Sequence, residues 1–223
     1  MKALILSAGF GTRLLPLTND LPKALIRYKE SPMINYQIER LKNAGFTELT
    51  VNAHHHYEKI ISYFSENDFG IKINVITEKD ILGTGGGILN CGSLMKNEDF
   101  FLVINADVDT DLNISKMIKY HSSNNPFVTI AVQKRKSKKY LEFSPAMHLL
   151  RRESEDSVRS NLFAFNGIHV ISGSIFRKGL EVKYEDIFEI YFKMIKNEKE
   201  TILGFDAGES YFKDLGKIEN LIS

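Results

Sequence analysis

Apolar and polar positions along the chain fall into alternating blocks. Ala3-Leu4-Ile5-Leu6 is an uninterrupted apolar run, as required of a strand covered on both faces, and it empties into the small-residue stretch Ser7-Ala8-Gly9-Phe10-Gly11-Thr12. Ser31-Pro32 reads as a helix start; Ile34, Ile38 and Leu41 recur at helical spacing until Gly45 ends the segment. Leu49-Thr50-Val51 predicts a strand, Tyr57 to Asn67 a helix carrying Ile60, Ile61 and Phe64, and Ile71 to Ile76 a strand after the turn at Gly70. The glycine-rich stretch 83–87 reads as a loop leading into a helix that extends to Met95. Phe100 to Ile104 then predicts an apolar strand ending on Asn105-Ala106-Asp107.

This order implies an α/β fold, a parallel sheet with helices on both faces. The second half changes character. Strands are predicted at Phe127 to Val132 and Asn161 to Ile171, a short hairpin over Tyr140 to Leu150, and an amphipathic helix over Glu185 to Lys196 through Ile187, Ile190, Tyr191 and Met194. No internal repeat and no Pro/Ser/Gly-rich linker divides the chain. Its 223 residues suit a single domain with one core.

Charge narrows the class of partner. Lys plus Arg (29) nearly cancels Asp plus Glu (28), so there is no global basic field of the kind that draws in nucleic acid, and no nucleic-acid partner is expected. The run Lys134-Arg135-Lys136-Ser137-Lys138-Lys139 is the exception and reads as a solvated strand end or loop. Cys91 is the single cysteine, which excludes an internal disulfide and suits a reducing compartment. Neither a signal-peptide pattern nor an apolar run of spanning length occurs, so a cytoplasmic protein without a membrane partner is expected. Three consecutive imidazoles, His54-His55-His56, cannot all point at one metal, and a structural or solvent-facing role is expected of them.

The candidate chemistry sits at strand ends. In open α/β sheets ligands bind beyond the carboxyl ends of the strands, where the loop from Ser7 to Thr12 presents its amides. Arg13 and Lys23 add a planar fork and a compact point charge, a combination suited to a polyphosphate. The loop lacks the Gly-Lys-Ser/Thr of a Walker A loop and the third glycine of the dinucleotide fingerprint. Asp107 ends a buried strand on the same edge, and a carboxylate beside phosphates implies Mg²⁺ between them.

Gly9-Phe10-Gly11-Thr12-Arg13-Leu14 with Pro16-Leu17-Thr18, followed by Leu21-Pro22-Lys23, resembles the signature of sugar-1-phosphate nucleotidyltransferases. The resemblance implies a Rossmann-like three-layer α/β/α fold with a mixed, mostly parallel sheet, residues 1–110 forming a nucleotide-binding half and 111–223 a sugar-binding half. It implies backbone contacts to the nucleotide from Ser7, Ala8, Gly9, Gly11 and Thr12, with Glu78, Gly85 and Gly86 on the base side. Asn105, Asn166 and Gly167 are implied to face the sugar, and Arg13, Lys23 and Asp107 to carry the chemistry. Asp214, in Phe212-Lys213-Asp214-Leu215-Gly216, resembles the family's second metal aspartate and is expected to share Mg²⁺ with Asp107. Asp109 and Asp111 are expected to serve the loop, with Asp109 a candidate outer contact. The expected substrates are a nucleoside triphosphate, UTP being favoured and GTP the alternative, and a sugar 1-phosphate. Expected assembly is a monomer or small homo-oligomer. A non-catalytic nucleotide-sugar sensor is the reading from another class.

Overall fold

A computed structural model describes residues 1–154 and 161–221. Its elements run β1 (Lys2–Leu6), β2 (Arg27–Tyr28), β3 (Ser31–Pro32), α1 (Met33–Asn43), β4 (Glu48–Ala53), α2 (Tyr57–Glu66), β5 (Lys72–Thr77), α3 (Gly83–Asn90), α4 (Gly92–Met95), β6 (Phe100–Asn105) and β7 (Val108–Thr110). They continue through α5 (Ile114–Asn124), β8 (Val128–Gln133), β9 (Lys139–Phe143), β10 (Leu149–Ser154), β11 (Leu162–Ser172), α6 (Ile187–Glu198), β12 (Ile202–Asp206) and β13 (Phe212–Asp214).

Side-chain alternation on the strands builds two cores from one sheet. Ala3 and Ile5 of β1, with Leu102 and Ile104 of β6, pack under α1, α2 and α5. Leu4, Phe101 and Val103 point the other way and pack with α3 and α6. The result is three layers around a nine-stranded sheet in the order β10-β9-β11-β6-β1-β4-β5, with β8 branching from β11 and carrying β12. Pairings of β1 with β4 and β6, β4 with β5, and β8 with β12 are parallel; β11 pairs antiparallel with β6, β8 and β9. Leu6 stands level with Asn52 on one side and Asn105 on the other, which brings three strand ends to one edge. Among the described residues no helix is long and apolar enough to cross a membrane.

The single core expected of the chain is divided by the sheet into one on each face. The glycines at 83–87 are not a loop ahead of a helix; they form the first turns of α3, which breaks at Cys91 before α4. Close packing is the reason: a Cβ at Gly86 would lie 2.0 Å from the Lys183 carbonyl oxygen, and one at Gly85 would lie 2.8 Å from Ile190 Cδ1. The sequence reading also passed over α5 and β12. The buried stripe of α5 is only Ile114, Met117 and His121, too thin for a clear helical period.

Candidate active site

The first strand delivers the loop from Ser7 to Thr12 to the shared edge. Gly11 adopts φ +66°, and a Cβ there would meet Thr18 Cγ2 at 2.8 Å and Lys23 Cβ at 3.1 Å, so only glycine fits between the loop and the Lys23 segment. Thr18 Oγ1 donates to the Gly11 carbonyl at 3.0 Å and fastens the loop, while Thr12 opens a short 3₁₀ turn that carries Arg13. Gly9 is exposed, with open space where a Cβ would stand.

Beside this loop lies a cavity of about 280 Å³ lined by Ala8, Gly9, Arg13, Lys23, Asn52, Gly83, Thr84, Asn105 and Asp107. Asn52 is held rigidly: its Oδ1 accepts from Ser7 N at 2.8 Å and its Nδ2 donates to Glu78 Oε1 at 2.6 Å. Glu78 Oε2 also accepts from Leu82 N at 3.1 Å. Ser7 and Glu78 therefore stand behind Asn52 as its supports, and the Ser7 amide is already engaged.

Four charged groups meet at the end of the cavity. Lys23 Nζ donates to Asp107 Oδ2 at 2.8 Å, and Arg13 Nη1 to Asp214 Oδ2 at 3.2 Å. Burial alone would push the Asp107 carboxyl up, but the Lys23 ammonium, its hydrogen bond and the Arg13 charge outweigh it and hold the carboxyl below its usual range. Asp214 ends β13, which pairs with β7 directly after Asp107, and Leu215 N donates to the Asp107 carbonyl at 2.8 Å. A Cβ on Gly216 would fall 2.6 Å from Arg13 Nη2, 2.7 Å from Asp107 Oδ2 and 2.9 Å from Asp214 Oδ1. The absent side chain of Gly216 thus leaves a cradle onto which both carboxylates and one guanidinium converge.

A second cavity of about 250 Å³ adjoins the first through Thr84 and Asn105. Its walls include Lys139, Tyr140, Arg152, Phe165, His169, Asp186 and Phe188. Arg152 Nη2 donates to both oxygens of Asp186 at 3.2 and 3.1 Å, and the guanidinium carbon lies 4.9 Å from the Phe188 ring centre. His169 hydrogen-bonds the Tyr191 hydroxyl at 2.7 Å, and burial pulls its pKa down to about 3, so it is neutral at physiological pH. Thr84 Oγ1 accepts from Ile187 N at 3.0 Å and ties α3 to α6 over both cavities.

Not every expected residue reaches these walls. Gly85 and Gly86 are buried against residues 183–190, and Gly85 N donates to the Glu185 carbonyl; Gly83 and Thr84 line the first cavity instead. Asn166 is fully buried away from both linings; its Oδ1 accepts from Arg135 Nε at 3.2 Å and its Nδ2 has no partner among the described residues. Gly167 sits in the irregular register of β11 at φ +71°, where its missing Cβ admits Asn105 Nδ2. It serves Asn105, which does line both cavities. Asp109 binds Tyr28 Oη at 3.0 Å and Arg40 Nη2 at 3.4 Å, tying β2 and α1 together. Asp111 accepts from Tyr211 N. The histidine triplet diverges: His54 bonds the Glu78 carbonyl and His56 the Asn19 carbonyl, and no metal-binding cluster of three or more His, Cys, Asp or Glu occurs among the described residues. Asn52, Thr84, Arg152 and Gly216 escaped the sequence reading; for Asn52 the available signal was a polar residue at the carboxyl end of a parallel strand.

Similarity to known proteins agrees with this geometry. A mannose-1-phosphate guanyltransferase of Candida albicans is 30% identical over 100% of this chain and 63% of its own length. A probable mannose-1-phosphate guanylyltransferase of Oryza sativa subsp. japonica is 38% identical over 60% of this chain and 38% of its own. The chain thus spans less than two thirds of the curated relatives it matches. Among solved structures, HddC from Yersinia pseudotuberculosis complexed with GMP-PN superposes with TM-score 0.80 at 22% identity, covering 99% of this chain and 96% of that one. The inositol-1-phosphate CTP transferase of T. maritima gives TM-score 0.82 at 16% identity over 99% and 91%. These two establish the fold. Residues 2–143, which carry the loop, Lys23 and Asp107, match the family model described as nucleotidyl transferase, and the chain belongs to that family.

Proposed function

We propose that this chain transfers a nucleotidyl group from a nucleoside triphosphate to a sugar 1-phosphate, releasing pyrophosphate. The observation that carries this reading is the convergence of Arg13, Lys23, Asp107 and Asp214, from four separate segments, at the mouth of a cavity walled by a glycine loop. The names of the curated relatives favour GTP and a mannose-type 1-phosphate over the UTP that the sequence cues favoured. The first cavity is the nucleotide site, with Asn52 and Thr84 facing the nucleoside and Ala8 and Gly9 facing the phosphates. The adjoining cavity is the acceptor site, and Asn105 stands between them.

The nucleophile is a phosphate oxygen already ionised near pH 7, since the second pKa of a phosphomonoester is about 6. It needs no general base, which fits a neutral, buried His169. The obstacle is repulsion between two anions, met by alignment and fixed positive charge. Lys23 holds the attacking and α-phosphates together; Arg13 takes the charge that grows on the departing pyrophosphate.

The Gly216 cradle fits Mg²⁺. Asp107 Oδ2 and Asp214 Oδ1 both lie within 3 Å of the position a Gly216 Cβ would fill, so no side chain stands between the two carboxylates, which together would hold an ion that keeps waters and takes one or two carboxylates. When bound there, Mg²⁺ supplies charge neutralisation to the phosphates. Lys23 and Arg13 then exchange their carboxylate partners for phosphate oxygens.

The test is pyrophosphate release from each of four ribonucleoside triphosphates with a panel of sugar 1-phosphates. Release specific to GTP and a manno-configured acceptor, lost in Lys23→Ala, is expected. Nucleotide-sugar binding with no release from any pair would instead make the chain a sensor.

A further inference from the structure

Of the basic run 134–139, only Lys139 lines either cavity described above. Five of its neighbourhood's cations, Arg135, Lys136, Lys138, Lys139 and Lys217, join Arg13 around a cavity of about 780 Å³. The only carboxylate in that lining is Asp214, already paired with Arg13. Among the described residues Lys136, Lys138 and Lys139 form no ion pair, and Lys217 meets only Glu219 at 3.6 Å.

One of these cations is built in. Arg135 gives Nε to Asn166 Oδ1 at 3.2 Å and Nη2 to the Phe165 carbonyl at 2.7 Å, and its guanidinium lies 3.9 Å from the Phe212 ring centre. Bonded on one edge and stacked on one face, it presents its remaining donors with little rotamer entropy left to lose. The loop beyond it is also set: Ser137 N donates to the Tyr140 hydroxyl at 3.0 Å. Asn166, implied by resemblance to face a sugar, is placed here as the anchor of an anion-binding arginine.

We propose that this cavity docks the pyrophosphate released by the transfer. The inference rests on the reading above and extends it. An oxygen of the acceptor's 1-phosphate bonds to the α-phosphorus as the bond from that phosphorus to the bridging α–β oxygen breaks. The electron pair leaves with the pyrophosphate, a polyanion, past Arg13. Arg13 is a wall of both the nucleotide cavity and the basic one, so the leaving group keeps one guanidinium beside it as it moves from the first to the second. Six cations against one carboxylate suit a polyvalent oxyanion and exceed what a single carboxylate on an acceptor needs.

The experiment is calorimetric titration of inorganic pyrophosphate into the nucleotide-free protein, for wild type, for the triple variant Lys136→Ala/Lys138→Ala/Lys217→Ala, and for Arg135→Lys. The three lysines are all solvent-exposed, so the triple variant folds even if Arg135→Lys does not. Expected is at least a tenfold weaker Kd for pyrophosphate in the triple variant, an equal rise in its product-inhibition constant, and forward kcat/KM for nucleotide within threefold of wild type. Unchanged pyrophosphate affinity overturns the proposal, as does a selective rise in KM for the sugar 1-phosphate, which would give the cavity to the acceptor. Absence of pyrophosphate release by wild type would overturn the transferase reading, while the titration still decides whether the pocket holds pyrophosphate.

Discussion

Gly216→Ala adds one methyl group at the point where the candidate site converges. Its carbon would stand 2.6, 2.7 and 2.9 Å from Arg13 Nη2, Asp107 Oδ2 and Asp214 Oδ1. Carbon–oxygen contacts settle at about 3.3 Å or more, so the oxygens must retreat by roughly 0.4–0.6 Å, and the nitrogen by a similar amount. Mg²⁺ demands oxygens at about 2.1 Å in near-octahedral array and tolerates such shifts poorly. Misplacing reacting groups by about 1 Å can cost about 100-fold in rate. With about half that displacement we expect kcat/KM to fall by at least about tenfold, equivalent to roughly 1.4 kcal/mol of transition-state stabilisation. Gly216 does not occupy the left-handed region, so alanine puts no strain on the backbone; of the crowded side chains Arg13 is exposed, Asp214 half-buried and Asp107 buried, and thermal unfolding reads what their displacement costs. The assay is pyrophosphate release, with Mn²⁺ binding in the presence of nucleotide followed by paramagnetic resonance and thermal unfolding as the control. A folded Gly216→Ala protein that keeps turnover within threefold and binds Mn²⁺ normally would refute the reasoning.

Lys23→Met should lower turnover by at least tenfold, a catalytic contact of about 1.4 kcal/mol, and should raise the Asp107 pKa because burial is then opposed only by a backbone hydrogen bond and the Arg13 charge; a pH–rate profile whose acid limb does not move argues against the pair. His169 and His121 have pKa values pulled down to about 3 and about 4, chiefly by burial, so the folded state binds fewer protons than the unfolded chain. Their contribution is intact above about pH 6.5 and is lost as pH falls, at about 1.4 kcal/mol per pH unit for each histidine. Urea midpoints measured from pH 7 to pH 4 should drop accordingly, and His121→Gln should flatten the slope. Cys91 is buried and its thiol is pushed up to about 12, first by burial and then by Glu78, so a thiol reagent at pH 8 should label it only on unfolding; rapid labelling of native protein would contradict its placement.

The candidate-site residues legible in the sequence are those that local spacing alone marks out. Arg13 and Lys23 flank a loop short enough to read, and Asp107 closes an apolar strand whose direction could be inferred. Asp214 was found by resemblance, since its partner Arg13 lies 201 residues away and no local period reports such a contact. Misreadings cluster where one residue type serves two ends. Glycines at 85 and 86 permit close approach of α6 as readily as approach of a ligand, and a sequence does not say which. Asn166 looked like a sugar contact because its strand was right, but the irregular register of β11 turns it toward Arg135. The thin stripe of α5 hid a helix whose third buried position is a histidine bonded to Thr129.

The pairing of β13 with β7 has a kinetic consequence. It joins residues about a hundred positions apart, and with the Leu215–Asp107 bond it places Asp214 beside Asp107 and Arg13. β1 and β6 are as far apart in the sequence, but their pairing buries apolar side chains on both faces, whereas the three half-buried residues of β13 offset their closure entropy with little burial and dock late. Lys23 and Asp107 are brought together through β1 and β6, whereas the Arg13–Asp214 pair awaits the final stretch of chain. During refolding, secondary structure and most burial should therefore return before activity, and the lag between them measures the docking of that last strand.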